Sequence, residues 1–140
     1  MTSKPYCTTL QKTEIKSATL SYMDILGDLP IDVKRLYWIY NVSEGSERGN
    51  HAHINSDRVM VCMAGAATVI IENERSEKFE FTLDNPSQIL FFPKGHWINL
   101  ALTKNSVLLV ASSCVFKDEV LITDYQEFKR ASLLKQLNQF

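Results

Sequence analysis

Short runs of alternating apolar and polar residues recur along most of this chain, separated by residues that favour turns. In the run KFEFTL the alternation is strict, which puts Phe79, Phe81 and Leu83 on one face of a strand. A spacing of about ten residues between such runs is typical of an antiparallel sandwich or barrel. The predicted strands are TLSYMDI, VKRLYWIYNV, VMVCM, TVIIE, KFEFTL, QILFF, HWINLAL and SVLLVAS.

Two local features can be predicted in more detail. VMVCM and TVIIE flank Gly65, which favours a β-hairpin with the glycine at its turn. Near the end of the chain, Thr123 and Gln126 fit a capping box, so a helix is expected over about 123–138. Its apolar residues at helical spacing, expected to pack on the sheet, are Phe128, Ala131, Leu134 and Leu137.

The composition indicates a single soluble domain, which we place at residues 1–140. Apolar residues make up 45% of the chain and charged residues 22%, as in ordinary globular proteins. The net charge of −1 gives no basic surface for nucleic acid, and no apolar run is long enough to span a membrane. An edge strand near the N-terminus needs a cover, so a homodimer is expected.

Three scattered cysteines, Cys7, Cys62 and Cys114, form no CxxC pair. An odd and dispersed set of this kind favours reduced thiols over a disulfide framework. The first residues also lack the apolar core of a signal peptide. We therefore expect a cytoplasmic protein.

The segment RGNHAH holds the densest polar chemistry of the chain. His51 and His53 are two residues apart, so in a strand they project from the same face. We expect Gly49 and Asn50 to form a tight turn into that strand. Two histidines together indicate half of a metal site, a proton-transfer site, or a pair that neighbouring groups merely satisfy.

The spacing around these histidines resembles the cupin superfamily over about residues 35–112. Gly45 and Gly65 match the first cupin motif, and Pro93 with Gly95 in PKGHW matches the second. The resemblance implies an all-β cupin fold, a small jelly-roll β-barrel over about residues 6–115, followed by the C-terminal helix.

Metal-binding cupins carry two further ligands, at positions where this chain has Arg58 and Ile98. A cation and an alkyl chain do not replace metal ligands, and two histidines fall short of ordinary zinc or iron sites. No metal is therefore expected. His96 leaves one alternative open, a site of three histidines, because it lies two residues before Ile98.

A narrower resemblance is to the WxcM-like (FdtA-like) nucleotide-sugar 3,4-ketoisomerases, and it spans nearly the whole chain. KRLYWIYNVSEGSERGNHAH resembles their Arg-x-Tyr-Tyr-Ile strand and Arg-Gly-x-His-x-His element, and VMVCMAG, LDNPSQILFFP, Trp97, VLLVAS and DYQEF match later parts. The resemblance implies an isomerase that moves the keto group of a dTDP-4-keto-6-deoxyhexose from C4 to C3 without any cofactor. It also implies a role in deoxysugar biosynthesis for surface polysaccharides such as the O-antigen of lipopolysaccharide.

The same resemblance assigns roles to individual residues. His51 would be the general base, His53 would orient it or help to shuttle the proton, and Tyr37 would donate to the enolate oxygen. An imidazole suits this chemistry because its ordinary pKa of about 6.5 is near working pH. The residues expected to bind the substrate are Arg35, Arg48, Arg58, Trp97 and Asn99.

The chain departs from the family's pattern at Arg58, Ile98, Asn99 and Ser113, where the family has other polar residues. These departures leave two further functions open. One is an enzyme similar to the sugar 3,5-epimerases, although no aspartate partner for the histidine is evident. The other is a cupin that binds nucleotide sugars without isomerising them.

Overall fold

The computed structural model describes residues 4–25 and 27–138. Twelve strands, a single turn of 3-10 helix and one α-helix follow each other along this part of the chain. The strands are β1 (Tyr6–Thr9), β2 (Gln11–Ile15), β3 (Ala18–Tyr22), β4 (Arg35–Ile39), β5 (Ser46–His53), β6 (Arg58–Ala64), β7 (Ala67–Glu72), β8 (Lys78–Leu83), β9 (Gln88–Phe92), β10 (His96–Leu102), β11 (Val107–Ser112) and β12 (Leu121–Ile122), and the helix is α1 (Tyr125–Leu137).

Two antiparallel five-stranded sheets form the body of the molecule. The first has the order β1-β9-β6-β11-β4 and the second the order β12-β5-β10-β7-β8, while β2 and β3 form a separate hairpin. Apolar side chains from both sheets make one buried cluster, which includes Phe92, Val110, Ile71 and Leu100. The jelly-roll fold with a C-terminal helix is thus confirmed, although the described sheets are not closed into a barrel.

The predicted hairpin around Gly65 is wrong. β6 pairs with β9 and β11, whereas β7 pairs with β8 and β10 in the opposite sheet. Both strands are rich in buried side chains, for example Cys62 and Val69 in the same cluster. Consecutive apolar strands therefore face each other across the core. Gly65, with a positive φ of 75°, turns the chain from one sheet to the other.

The helix begins slightly later than predicted. Asp124, not Thr123, occupies the N-cap, and its carboxylate accepts hydrogen bonds from the backbone N–H groups of Gln126 and Glu127. Both residue types cap helices well, because each offers a side-chain oxygen to the first free N–H groups. A sequence with two adjacent capping residues leaves this choice to the tertiary structure.

Only part of the predicted apolar helix face is buried. Phe128 packs against Trp97 and Ala52 on the outer face of the second sheet. Ser132 is the other buried residue of the helix. The remaining apolar residues of the helix are exposed, namely Ala131, Leu133, Leu134 and Leu137. No helix among the described residues has the length and apolar character needed to cross a membrane.

Candidate active site

A β-bulge in the middle of β5 aims the histidine pair. Gly49 is paired with Asn99 and His51 with Ile98, so Asn50 is an extra residue without a partner in β10. Gly49 and Asn50 have φ angles of 100° and 58°, which glycine and asparagine tolerate best. The expected tight turn into the strand is therefore a kink within it, as is common next to active sites.

Beyond the bulge, His51 and His53 both face a cavity of about 450 Å³ between the two sheets. Its apolar floor consists of side chains that also belong to the core, including Phe92, Ile98 and Val110. The polar groups around it are Tyr37, Glu47, Arg48, His51, His53 and Arg58. The cavity thus combines a rigid apolar base with a few convergent polar groups, as small-molecule sites usually do.

The two imidazole rings contact each other directly. Their Nε2 atoms are 2.9 Å apart and the rings meet edge to face. The other nitrogen of His51, Nδ1, lies 3.1 Å from the carbonyl oxygen of Gly49. The Nδ1 atom of His53 lies 2.8 Å from Oε1 of Glu119. Every ring nitrogen of the pair therefore has a defined partner.

These partners assign the hydrogens of the two rings. The carbonyl of Gly49 and the carboxylate of Glu119 can only accept, so each holds a hydrogen on the Nδ1 atom that faces it. The two Nε2 lone pairs would then repel at 2.9 Å unless a proton lies between them. The arrangement of His51 and His53 is consequently suited to holding one shared proton.

That proton is held weakly. Burial lowers the pKa of His51 and of His53, and the Arg58 guanidinium lowers both further. The Gly49 carbonyl opposes this at His51, and Glu119, which contacts Nδ1 of His53, pairs its negative charge with the Arg58 cation. Two guanidinium groups against one carboxylate leave an excess of positive charge beside the rings, so both pKa values stay below the ordinary histidine value. At neutral pH the pair is ready to accept a proton.

Glu119 was not predicted from the sequence, yet it contacts two arginines of the site and His53. Its carboxylate accepts from Arg35 at 3.1 Å and from Ser56 at 3.1 Å, and it forms an ion pair with Arg58. One signal for it was present in the sequence. Arg35 and Arg58 both begin strands next to an apolar core, and buried cations require a nearby carboxylate.

Tyr37, on β4, completes the polar wall of the cavity. Its hydroxyl oxygen accepts a hydrogen bond of 2.8 Å from Nη1 of Arg58. Burial raises the pKa of Tyr37, and the nearby guanidinium groups of Arg58 and Arg35 act in the opposite direction. The hydroxyl therefore keeps its proton at neutral pH and can donate it to an oxygen in the cavity.

The arginines expected to bind substrate occupy three different environments. Arg58 is only 1% exposed and is engaged with Glu119 and Tyr37. Arg35 lies over the Tyr37 ring, 4.6 Å from its centroid, and is bonded to the same carboxylate. Arg48 lines the cavity and is exposed to solvent. It takes part in none of the salt bridges found among residues 4–25 and 27–138.

Trp97 and Asn99 do not face the cavity, contrary to expectation. Ile98 and Leu100 point inward from β10, so Trp97 and Asn99, which alternate with them along the strand, point outward. Trp97 packs against Phe128 of the helix with ring centroids 5.7 Å apart. Asn99 uses its side-chain oxygen to accept from the N–H of Asn50, which stabilises the bulge. Both residues thus stabilise the structure on the outer side of the strands that carry the site.

His96 is the cross-strand partner of His53, but its side chain lines a second cavity rather than the one that holds the histidine pair. Its side chain is buried and lines this cavity together with Asp57 and Lys94. Its Nδ1 atom contacts the Lys94 carbonyl oxygen at 3.1 Å. Within the described ranges, no three His, Cys, Asp or Glu side chains are grouped as metal ligands would be. The alternative of a three-histidine site therefore has no support in the geometry.

Comparison with known proteins identifies the family of this chain. The family model described as "FdtA: WxcM-like, C-terminal" matches residues 3–132. The chain belongs to this family. The resemblance seen in the RGNHAH segment and its surroundings is thereby confirmed over most of the chain.

Individual proteins are similar to this chain over much of its length. A TDP-4-oxo-6-deoxy-alpha-D-glucose-3,4-oxoisomerase of Aneurinibacillus thermoaerophilus is 29% identical over 104 residues, which are 74% of each chain. A 3,4-ketoisomerase from Helicobacter canadensis superposes with a TM-score of 0.84 at 25% identity, covering 92% of this chain and 97% of that one.

One further solved structure shows the same fold. It is a His-to-Asn variant of the 3,4-ketoisomerase QdtA from Thermoanaerobacterium thermosaccharolyticum in complex with TDP-4-keto-6-deoxyglucose. It superposes with a TM-score of 0.84 at 23% identity and covers 94% of this chain and 96% of that one.

Proposed function

We propose that this protein is a dTDP-sugar 3,4-ketoisomerase, which moves the keto group of a dTDP-4-keto-6-deoxyhexose from C4 to C3. The observation that carries the proposal is the contact between His51 and His53 at the cavity, beside the protonated Tyr37 hydroxyl. Membership of the WxcM-like family and the named activity of its Aneurinibacillus relative support it.

The reaction requires only proton transfers, and the cavity supplies groups for each of them. His51 removes the proton from C3, next to the ketone, while Tyr37 donates a hydrogen to the oxygen on C4. The resulting enediol loses the proton of its C3 hydroxyl and takes one up at C4. His53 relays protons to and from His51 through the Nε2 contact. The sum is an isomerisation with no net gain or loss of protons or electrons.

Arg48 is the best placed of the three arginines to bind the diphosphate. A guanidinium group pairs with phosphate oxygens through two parallel hydrogen bonds. Arg35 and Arg58 already form salt bridges with Glu119. Arg48 has no such partner among the described residues, and it lies at the cavity's exposed side, where the nucleotide would extend into solvent.

Deuterium exchange tests the proposed reaction directly. We expect the protein, incubated with dTDP-4-keto-6-deoxyglucose in heavy water, to form a 3-keto product that carries deuterium at C4, as followed by NMR. Dialysis against a strong chelator should leave the rate unchanged, because no metal takes part in the proposed steps.

Other outcomes of the same experiment favour the alternative functions. Exchange at C5 indicates an epimerase, and binding without exchange indicates a nucleotide-sugar-binding protein. If activity vanishes on dialysis and returns with one divalent metal, proton transfer by the histidine pair alone is the wrong mechanism.

A homodimer is a further part of the proposal. The β2–β3 hairpin and the strands β4 and β6 of the first sheet, with the residue that follows β4, carry large apolar side chains that are 44–59% exposed: Leu20, Tyr22, Leu36, Trp38, Tyr40 and Met63. An apolar cavity of about 660 Å³ opens beside these side chains. Monomeric proteins seldom expose contiguous apolar patches of this kind, and a second copy would cover them.

Sedimentation equilibrium checks the dimer. We expect a dimer at micromolar concentration and a shift to monomer in Trp38→Glu, because a charge in an apolar interface is costly to bury. A matched change at an exposed residue of the helix, Leu134→Glu, should leave the mass unchanged. A wild-type monomer across this range, or equal behaviour of both variants, would contradict the dimer.

We also infer a cytoplasmic location. Cys7, Cys62 and Cys114 are all free thiols, as is usual in a reducing compartment. Nucleotide sugars of the proposed type supply deoxysugars for surface polysaccharides, so a place in O-antigen and lipopolysaccharide biosynthesis follows from the proposed activity.

A further inference from the structure

A short irregular segment carries an acidic side chain into the site. A single turn of 3-10 helix, Phe116–Asp118, follows β11 and is exposed to solvent. The next residue, Glu119, turns inward, and only 6% of its side chain is exposed. A carboxylate buried to this extent requires charged or hydrogen-bonding partners.

Glu119 has such partners on three sides. Oε1 accepts from Nδ1 of His53 at 2.8 Å and from Oγ of Ser56 at 3.1 Å, and it forms the ion pair with Arg58. Oε2 accepts from Nη1 of Arg35 at 3.1 Å. The carboxylate lies behind His53, on the side away from His51, and it is not among the groups that line the cavity.

We propose that Glu119 is a positioning residue for the histidine pair, which orients His53 and offsets the Arg58 cation beside both rings. This inference rests on the proposed function only where it concerns turnover. Because Glu119 acts through His53 and Arg58, it affects proton transfer without touching the substrate.

The orientation follows from the geometry of the hydrogen bonds. With its Nδ1–H directed at a fixed carboxylate, His53 presents Nε2 to His51 at 2.9 Å. Glu119 also fixes the guanidinium of Arg58, whose Nη1 donates to the Tyr37 hydroxyl. The Glu119 carboxylate therefore positions His53 directly and Tyr37 through Arg58, as supporting groups do in other catalytic sites.

The charge balance follows from the groups around the rings. Arg35 and Tyr37 approach from β4, Arg58 from β6 and Glu119 from the segment after β11. Glu47 and Arg48 lie at the cavity's exposed side, and His96 is the strand partner of His53 on β10. Glu119 is the carboxylate in direct contact with His53, and it is paired with the two guanidinium groups of Arg35 and Arg58.

A pair of substitutions that each remove one charge tests this balance. Removing the cation in Arg58→Gln favours the imidazolium form, so the histidine titration should move up by about one pH unit. Removing the anion in Glu119→Gln has the opposite effect, so the titration should move down. In the double variant the two changes offset each other, and the titration should return towards that of wild type. NMR of the histidine ring protons, recorded without substrate, measures all four proteins.

Turnover provides the second readout. In Glu119→Gln we expect kcat to fall at least tenfold with little change in KM, because substrate contacts are intact while the base is misaligned. Asp118→Asn is the matched control, since it removes an exposed carboxylate one residue away. It should change neither the titration nor the rate.

Several results would overturn the inference. They are equal shifts in the two single variants, no shift in either, or a control that behaves like Glu119→Gln. If Glu119→Gln alone fails to fold, the comparison still decides, because the double variant must titrate below Arg58→Gln. Normal titration shifts in a protein without isomerase activity would refute the proposed function and leave this inference standing.

Discussion

His51→Asn should abolish isomerisation while binding of the nucleotide persists. A positioned general base contributes roughly a hundred- to ten-thousand-fold to the rate of proton transfer. His51 is the ring of the pair that is half-buried at the cavity, whereas His53 is backed by Glu119. Asparagine keeps the size and polarity of the side chain but cannot take up a proton at neutral pH.

The measurement is a comparison of turnover with ligand binding. We expect the rate of deuterium incorporation at C4 of the product to fall by at least about a hundredfold, together with a nearly unchanged dissociation constant for thymidine diphosphate by calorimetry. His96→Asn is the matched control, because it changes a buried histidine that lines the second cavity. Near-normal turnover in His51→Asn would show that the base lies elsewhere, and equal losses in the two variants would point to a structural effect.

The strands were predictable because the period of an apolar pattern states which face of a strand is buried. In β8, for example, Phe79, Phe81 and Leu83 turn to the core as the alternation of KFEFTL predicts. The same pattern does not state which strand is the neighbour. β6 and β7 both read as core strands, and only the competition between their partners decides that they face each other across the sandwich rather than pair.

The candidate site was predictable to the extent that its residues lie on regular strands. His51, His53 and Tyr37 meet at one cavity as two-residue periodicity predicts. Glu119 comes from an irregular segment, and 66 residues separate it from His53. Trp97 and Asn99 were expected inside on the strength of a family resemblance, whereas the alternation around Ile98 already indicates the outer face.

Gly49→Ala should damage both the stability and the activity of the protein. A β-carbon at this position would lie 2.5 Å from the carbonyl oxygen of Ile98 and 3.0 Å from the Cα atom of Asn99. Both are backbone atoms of the paired strand, so they cannot move aside as a flexible side chain would. The φ angle of 100° adds strain of its own, since it is nearly restricted to glycine. Together these effects should lower the free energy of unfolding by about 2 kcal/mol or more.

The activity should fall further than the stability alone explains. The carbonyl of Gly49 holds Nδ1 of His51 at 3.1 Å, so a shift of the bulge turns the proposed base. A misplacement of about 1 Å in a catalytic group can cost a hundredfold in rate. We therefore expect a loss of kcat in the part of the population that remains folded, as measured below the unfolding transition in urea.

Gly45→Ala separates the clash from the general cost of replacing a glycine. Gly45 also has a positive φ, of 70°, but a β-carbon there meets no atom within 4 Å. Its replacement should cost only the conformational strain, about 1 kcal/mol, and should leave kcat unchanged. If the two variants lose stability equally and Gly49→Ala retains full activity, then the bulge does not fix the position of His51, and the order of the histidine pair must come from Glu119 alone.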